Sequence, residues 1–262
     1  MKNHWIKSPR SEKYTGAISF VKKIRLEDQA IAAKVCVSSV GVYELKINEQ
    51  KVSNRVLTPG FTSYNKRGIQ YQEYEITDYL LDDNRICITV GPGWAVGHIG
   101  YGGNDCIYAD HISATAQFVV TYRDGSEKVF FTDTSWEVFT HEVTFADIYH
   151  GETIDKTHAP VFLGMAQADH VTYDLIPDIG EAICEQETFS AVLLTTPKGE
   201  KVLDFGQNMT GYVALTIQGE KGSKVKLSFG EVLDKDGNFY NENYRTSRNE
   251  ITYILSGNAI IR

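Results

Sequence analysis

Short apolar runs that alternate with polar residues recur along the whole chain, and long helical periodicity is scarce. In "VYELKIN", Val42, Glu44 and Lys46 fall on one side while Tyr43, Leu45 and Ile47 fall on the other. This is the period-2 signature of a strand with one buried face. The first half carries further runs of this kind at "AISFVKK" (17–23), "AIAAKVCVSS" (30–39), "IQYQEYEIT" (69–77), "RICITV" (85–90) and "HISATAQFVVTY" (111–122). The second half repeats the texture at "HVTYDLI" (170–176), "SAVLLTT" (190–196), "KVLDF" (201–205), "GYVALTIQ" (211–218), "SKVKLSFGEVL" (223–233) and "EITYILS" (250–256). Many short β-branched and aromatic runs at close spacing predict an all-β protein built of antiparallel sandwiches. "GEKG" (219–222) reads as a hairpin connection, and "DKDGN" (234–238) as a turn in which Gly237 takes a positive φ. A single helical turn is predicted at "TDYLLD" (77–82), capped by Thr77 or Asp78. The strand pattern lapses over "DKTHAPVFLGMAQADH" (155–170), where Pro160 interrupts it, so the two sandwiches are expected to occupy residues 1–162 and 163–262.

Composition narrows the function classes. At 262 residues the chain is long enough for two domains, each with its own core. A net charge of −8 and a pI near 5.4 leave no basic footprint for nucleic acid, and no Lys/Arg-rich run overrides that balance. The cysteines (Cys36, Cys87, Cys106 and Cys184) are far apart and form no CxxC pair, which reads as reduced thiols rather than zinc ligands or staples. The first residues carry positive charge with no apolar run behind them, and no window approaches a membrane span. The expectation is a cytoplasmic protein with neither nucleic acid nor membrane as partner. In that compartment the sequon at Asn208-Met209-Thr210 would not be glycosylated.

Several chemical motifs fail on context. Asp204-Phe205-Gly206 matches the magnesium-binding triplet of protein kinases, but no glycine-rich loop, Val-Ala-Ile-Lys strand or His-Arg-Asp loop precedes it. "DKDGNFYNENYR" (234–245) lacks the glycine and glutamate that a calcium-binding EF-hand loop requires, having Phe239 and Arg245 in their places. His141-Glu142 is not followed by a histidine at the HExxH spacing, and no GxSxG elbow is present. His98, His111, His150 and His158 read as surface or hydrogen-bonded residues, so no metal ligand is assigned. Catalytic carboxylates form pairs through the fold and cannot be picked by spacing from among 34 acids. The loop "GPGWAVGHIGYGG" (91–103) stands out, since Trp94, His98 and Tyr101 offer aromatic faces beside polar groups. Such a surface suits a sugar ring, with its apolar C–H face and hydrogen-bonding rim. The alternative is that Trp94 plugs the open end of a sandwich.

The segment "SSVGVYELKINEQKVSNRVLTPGFTSYNKRGIQYQEYEITDYL" (38–80) resembles the N-terminal domain of bacterial α-L-rhamnosidases of glycoside hydrolase family 78. The resemblance is carried by Gly41, Tyr43, Glu44, Ile47 and Asn48, by Leu57-Thr58-Pro59-Gly60-Phe61-Thr62 and Tyr64, and by Gln70-Tyr71-Gln72. "VGPGWAVGHIG" and "FADIYHGETIDKT" (145–157) are similar to the segments that follow in that family. "VLDFGQNMTGYV" (202–213) and "GEVLDKDGNFYNENYRTSRNEITYILSG" (230–257) resemble blocks of its second domain. Glu49 departs from the glycine usual after Asn48, and Pro92 and Ala95 depart from the residues usual around Trp94.

What the resemblance implies is two jelly-roll sandwiches, galactose-binding-like and then lectin-like, the second incomplete. Members of the family continue into an (α/α)₆ barrel that holds the catalytic acids, and no helical repeat of that kind is present here. The expected catalytic residues of this chain are therefore none. Two functions follow: the non-catalytic N-terminal part of an inverting α-L-rhamnosidase, partnered by the missing barrel, or a free-standing protein that binds rhamnosyl glycosides. Calcium enters by family analogy alone and no ligands for it can be aligned, so no cofactor is assigned.

Overall fold

The computed structural model describes residues 4–10, 15–99 and 104–261 and is built almost wholly of strands. The first set comprises β1 (Ile6–Lys7), β2 (Ile18–Arg25), β3 (Ala30–Val40), β4 (Val42–Ile47), β5 (Gln50–Lys51), β6 (Ile69–Glu75), β7 (Asp83–Gly91), β8 (Ser113–Tyr122), β9 (Glu127–Phe131) and β10 (Glu137–Thr140). After β11 (Val143–Asp147) and β12 (Gly151–Asp155) come β13 (Phe162–Met165), β14 (Gln167–Ala168) and β15 (Leu175–Pro177). Two single-turn helices, α1 (Tyr64–Arg67) and α2 (Gly93–Val96), interrupt them. A seven-stranded sheet runs β14-β1-β8-β3-β6-β15 with β9 on the free side of β8, and a six-stranded sheet runs β13-β10-β2-β7-β4-β5.

Alternation makes these two sheets a sandwich. Val35 and Val37 of β3 and Ala114, Ala116, Phe118 and Val120 of β8 are buried from one side. Ile18 and Phe20 of β2, Leu45 and Ile47 of β4 and Ile86, Ile88 and Val90 of β7 meet them from the other, in one continuous cluster. Fully burying each large aliphatic or aromatic side chain contributes roughly 1.5–3 kcal/mol, so this cluster dominates the energetics. The residues of "VYELKIN" divide as their period demands, with Tyr43, Leu45 and Ile47 buried and Val42, Glu44 and Lys46 half-buried.

The family-like motif of residues 57–72 is a hydrogen-bonded clamp at one end of this sandwich. The Tyr43 and Thr58 backbones meet through Tyr43 N donating to the Thr58 carbonyl at 2.8 Å. Thr58 Oγ1 donates to the Tyr43 carbonyl at 2.7 Å, Tyr43 Oη to Gln72 Oε1 at 2.7 Å, and Gln72 Nε2 to the Pro59 carbonyl at 2.9 Å. Gly60, at φ +98°, passes so close to Gln70 that a Cβ there would lie 2.6 Å from its Nε2. The polar residues of the motif thus satisfy one another in a place that water cannot reach. Asn48 and Glu49 both adopt left-handed φ, 50° and 65°, and Asn48 is held there by bonds to Tyr79, Asn84 and Arg85.

The second set is β16 (Val192–Thr195), β17 (Lys201–Asp204), β18 (Leu215–Gln218), β19 (Lys224–Ser228), β20 (Val232–Leu233), β21 (Phe239–Tyr240), β22 (Glu250–Ile254) and β23 (Asn258–Ile261). A four-stranded sheet, β11-β12-β22-β19, is flanked by the two-stranded pairs β16-β17, β18-β23 and β20-β21. Its core is small, with Tyr253 and Leu255 buried among Ile154, Ile217, Val225, Leu227 and Ile251.

The two halves interleave across the expected boundary. Strands β13, β14 and β15, at residues 162–177, pair with β10, β1 and β6 of the first sandwich. The β11–β12 hairpin, which precedes them in the chain, pairs instead with β22, in parallel. Two local expectations also change. "GEKG" joins strands of different sheets, since β18 pairs β23 while β19 pairs β22. The predicted helix at 77–82 shrinks to a 3₁₀ turn over Thr77–Tyr79, in which Thr77 Oγ1 accepts from Ala33 N at 2.8 Å rather than capping. The Asn84 side chain takes Leu81 into its own bonds and ends the turn there.

In the "VLDFGQNMTGYV" stretch β17 runs into a bend at Gly206, φ +75°, whose N–H donates to Asp204 Oδ1 at 2.8 Å. Asp204 is a turn residue in this setting. "DKDGN" closes the β20-β21 hairpin as expected, with Gly237 at φ +80° and Asp234 accepting from Asp236 and Asn238.

Candidate functional site

The loop after β7 meets the β11–β12 connection at one end of the first sandwich. Its α2 turn is tight because Gly93, at φ +52°, packs on β4, where a Cβ would sit 2.8 Å from Val42 Cγ1. The turn closes through Val96 N to the Pro92 carbonyl and Gly97 N to the Gly93 carbonyl, both 3.2 Å. Trp94 points inward, is only 6% exposed and belongs to the main core. Phe61 of the clamp motif stands edge-on to it, centroids 5.5 Å apart at 80°, and remains 55% exposed. Of the aromatic face expected in this loop, Trp94 is buried, and Phe61 is the exposed ring beside it. Tyr101 lies outside the described residues.

His98 follows directly and turns toward Asp147, at the end of β11. The His98 backbone N donates to Asp147 Oδ2 at 2.9 Å, and its Nδ1 lies 2.9 Å from the same oxygen. The other oxygen, Oδ1, accepts the backbone N–H groups of Tyr149 and His150, each at 2.8 Å. Gly97 admits the carboxylate, because a Cβ there would meet the Gly93 carbonyl at 2.5 Å and Asp147 Oδ2 at 3.0 Å. Burial works to raise the Asp147 carboxyl, but the bonds from His98, Tyr149 and His150 outweigh it and hold the group below its ordinary value. The His150 ring packs edge-on to His98, 4.5 Å between centroids, and to Tyr149 at 5.3 Å, and its Nδ1 is buried without a hydrogen-bond partner.

Asp147 and His150 were not assigned from the sequence. They lie some fifty residues from His98, and only the pairing of the loop with the hairpin brings them together. Ligand-type atoms of His98, Asp147 and His150 all fall within 4.8 Å of one another, the sole such group among the described residues. Two imidazoles and one carboxylate do not fit calcium, which takes six to eight oxygens.

A second polar cluster lies elsewhere, where β1 runs between β8 and β14. His111 Nε2 stands 2.9 Å from Asp169 Oδ2, Lys7 Nζ lies 3.2 Å from Asp169 Oδ1, and Ser113 Oγ donates to Asp169. Although it contains Ser, His and Asp, the serine bonds the carboxylate rather than the imidazole. A nucleophilic relay needs the imidazole between the two, so this is an ion network and not a catalytic triad.

Residues 28–175 match the family described as the alpha-L-rhamnosidase N-terminal domain, and residues 194–261 match the bacterial alpha-L-rhamnosidase concanavalin-like domain. An α-L-rhamnosidase of Streptomyces avermitilis is 32% identical over 239 residues, covering 86% of this chain and 23% of the relative. One from Formosa agariphila is 28% identical over 262 residues, covering 92% of this chain and 27% of the relative. The chain thus spans about a quarter of the length of these curated relatives. The crystal structure of an Aspergillus terreus α-L-rhamnosidase superposes with a TM-score of 0.90 at 30% identity, covering 98% of this chain and 32% of that one. That of the Streptomyces avermitilis enzyme, solved with L-rhamnose, gives 0.87 at 29% identity, covering 95% and 25%.

Proposed function

The chain belongs to the bacterial α-L-rhamnosidase family, and on that premise we propose that it is the non-catalytic N-terminal part of an enzyme that hydrolyses terminal α-L-rhamnosyl glycosides with inversion. The observation that carries this reading is the ordered match to two accessory domains over only a quarter of the relatives' length. The first sandwich has a large continuous core, whereas the second half has a small one and leaves Val192 64%, Leu193 62% and Val232 56% exposed. Those apolar side chains are the surface on which the remaining length of such an enzyme, with its catalytic barrel, would pack. Carbohydrate is the ligand class of the parent. In this chain Phe61 and His98, beside the buried Trp94, form the surface where a rhamnosyl ring would rest. The free state of the cysteines accords with a cytoplasmic compartment. Among the described residues no helix is long and apolar enough to cross a membrane.

One experiment with two arms tests the reading. The purified chain is assayed with p-nitrophenyl α-L-rhamnoside and titrated calorimetrically with L-rhamnose. Hydrolysis should stay at the uncatalysed rate, and any binding heat should shrink in Phe61→Ala. Enzyme-level turnover that co-purifies with the chain would overturn the non-catalytic assignment. Flat heats in the wild type would remove the sugar-binding surface and leave the packing role.

A further inference from the structure

We propose that His98, Asp147 and His150 bind one divalent transition-metal ion, which pins the loop after β7 to the β11–β12 hairpin.

Asp147 is 7% exposed at its side chain and His98 33%, so the carboxylate is sheltered while the imidazole beside it reaches solvent. The ion therefore has an entry path on the His98 side. The carboxylate is fixed before any ion arrives, because three backbone N–H groups already hold it. Such preorganisation is what a metal ligand requires of its surroundings. The His150 ring nitrogen Nδ1 is buried with no partner, an arrangement that hydrogen bonding in the protein leaves unexplained.

Two of the three donors already stand near the spacing of a coordination shell. With metal–nitrogen bonds of about 2.0–2.1 Å, tetrahedral ligand atoms stand about 3.3 Å apart. His98 Nδ1 and Asp147 Oδ2 are at 2.9 Å, and all three ligand atoms lie within 4.8 Å. A rotation of the His150 ring about its side-chain bonds closes the remaining gap. The ion takes the place of the hydrogen between His98 and Asp147, and the neutral imidazole then carries its proton on Nε2, toward solvent. Two imidazoles and a carboxylate suit zinc, cobalt, nickel or copper rather than magnesium or calcium. Three protein ligands leave one position open toward solvent.

The location gives the ion its role. His98 belongs to the loop of the first sandwich. Asp147 and His150 flank the connection of a hairpin whose β12 runs beside β22 of the second sheet. An ion there reinforces a junction that the loop and the hairpin already make through His98 N and Nδ1, each 2.9 Å from Asp147 Oδ2.

The test uses the full chain, free of any affinity tag and stripped with chelator, titrated with Co²⁺ and with Zn²⁺. The expected result is one equivalent of Co²⁺ giving visible d–d bands without thiolate charge transfer, and a rise in Tm on adding Zn²⁺. His98→Ala and His150→Ala should each weaken binding by about tenfold or more, while His158→Ala, at a residue bonded to Thr140, should bind as the wild type does. Near-UV circular dichroism confirms that the variants fold, and His150→Gln serves where alanine does not. Absence of both the Co²⁺ bands and the Zn²⁺ shift in the wild type would overturn the proposal whatever the variants do. So would a thiolate charge-transfer band, which would place the ion on a cysteine, or unchanged affinity in the folded His98 and His150 variants.

Discussion

Asp169 directly follows β14, with its side chain 6% exposed and facing His111, Ser113 and Lys7. Burial works to raise its carboxyl, but the bonds from His111 and Ser113 overcome this and hold it well below the usual carboxylate range. His111 shifts the other way: its bond to Asp169 raises it, against burial, with Asp110 adding to the rise. The two signs define a window. A carboxyl depressed on folding contributes stability that is present above its unfolded value of about 4 and is lost as pH falls through the folded one. An imidazole raised on folding contributes stability that is complete below its unfolded value of about 6.5 and is lost as pH rises through the folded one. The Tm difference between wild type and His111→Ala should therefore be largest near pH 5–6 and shrink by pH 9. A difference that is flat from pH 5 to 9 would mean that His111 acts through packing and not charge. Neither this network nor the His98–Asp147–His150 group was legible in the sequence. Each joins residues about fifty or more positions apart, and a lone histidine carries no record of which carboxylate the fold will bring to it.

The β12 strand shows how far periodicity reaches at the scale of the element. Period-2 alternation marks the strands of the first sandwich because each has one wet and one dry face, and β4, β7 and β8 lie where the apolar runs place them. Partner choice is a different quantity. Nothing in "GETID" says that Glu152 will lie beside Ile251 and Asp155 beside Ile254, in parallel, across the expected domain boundary. The same hairpin also touches the first sandwich, with Ala17 N donating to the Val143 carbonyl at 2.9 Å and Ala146 N to the Thr15 carbonyl at 2.8 Å. Gly151 permits the closest approach. At φ +85° it leaves no room for a side chain, since a Cβ would lie 1.9 Å from the Glu250 carbonyl oxygen. Gly151→Ala should force β12 away from β22 at a cost of about 2 kcal/mol or more. Hydrogen exchange is the measurement: amides of β19 and β22 should lose protection while those of β3 and β8 keep theirs. Unaltered protection in β22 would show that the parallel pairing does not hold the second sheet.

Across the whole molecule the two halves differ in what stabilises them. The first has a continuous core that runs through both sheets, with Trp136, Phe20 and Phe118 wholly enclosed. The second has Tyr253 and Leu255 fully buried and a fringe of half-buried aliphatics, and its β16-β17 and β20-β21 pairs each form a two-stranded sheet. Isolated two-stranded ribbons are marginal in water, and opening free energy follows the density of buried apolar contacts. The apolar runs at 190–196 and 201–205 form strands as expected, yet Val192 and Leu193 are both exposed, because a strand acquires a dry face only when something packs on it. Unfolding should accordingly proceed from the second half inward. Under limited proteolysis the first cuts are expected between residues 179 and 213, beyond the last strand that pairs with the first sandwich. They should leave a resistant core that contains β2 to β10, identifiable by mass. The β11–β12 hairpin should resist longer than its place in the four-stranded sheet suggests, because its bonds to residues 15–17 and to His98 survive the loss of β22. Initial cleavage within residues 30–90, or loss of both halves in a single step, would contradict this order and would make the small second core a full partner in one cooperative unit.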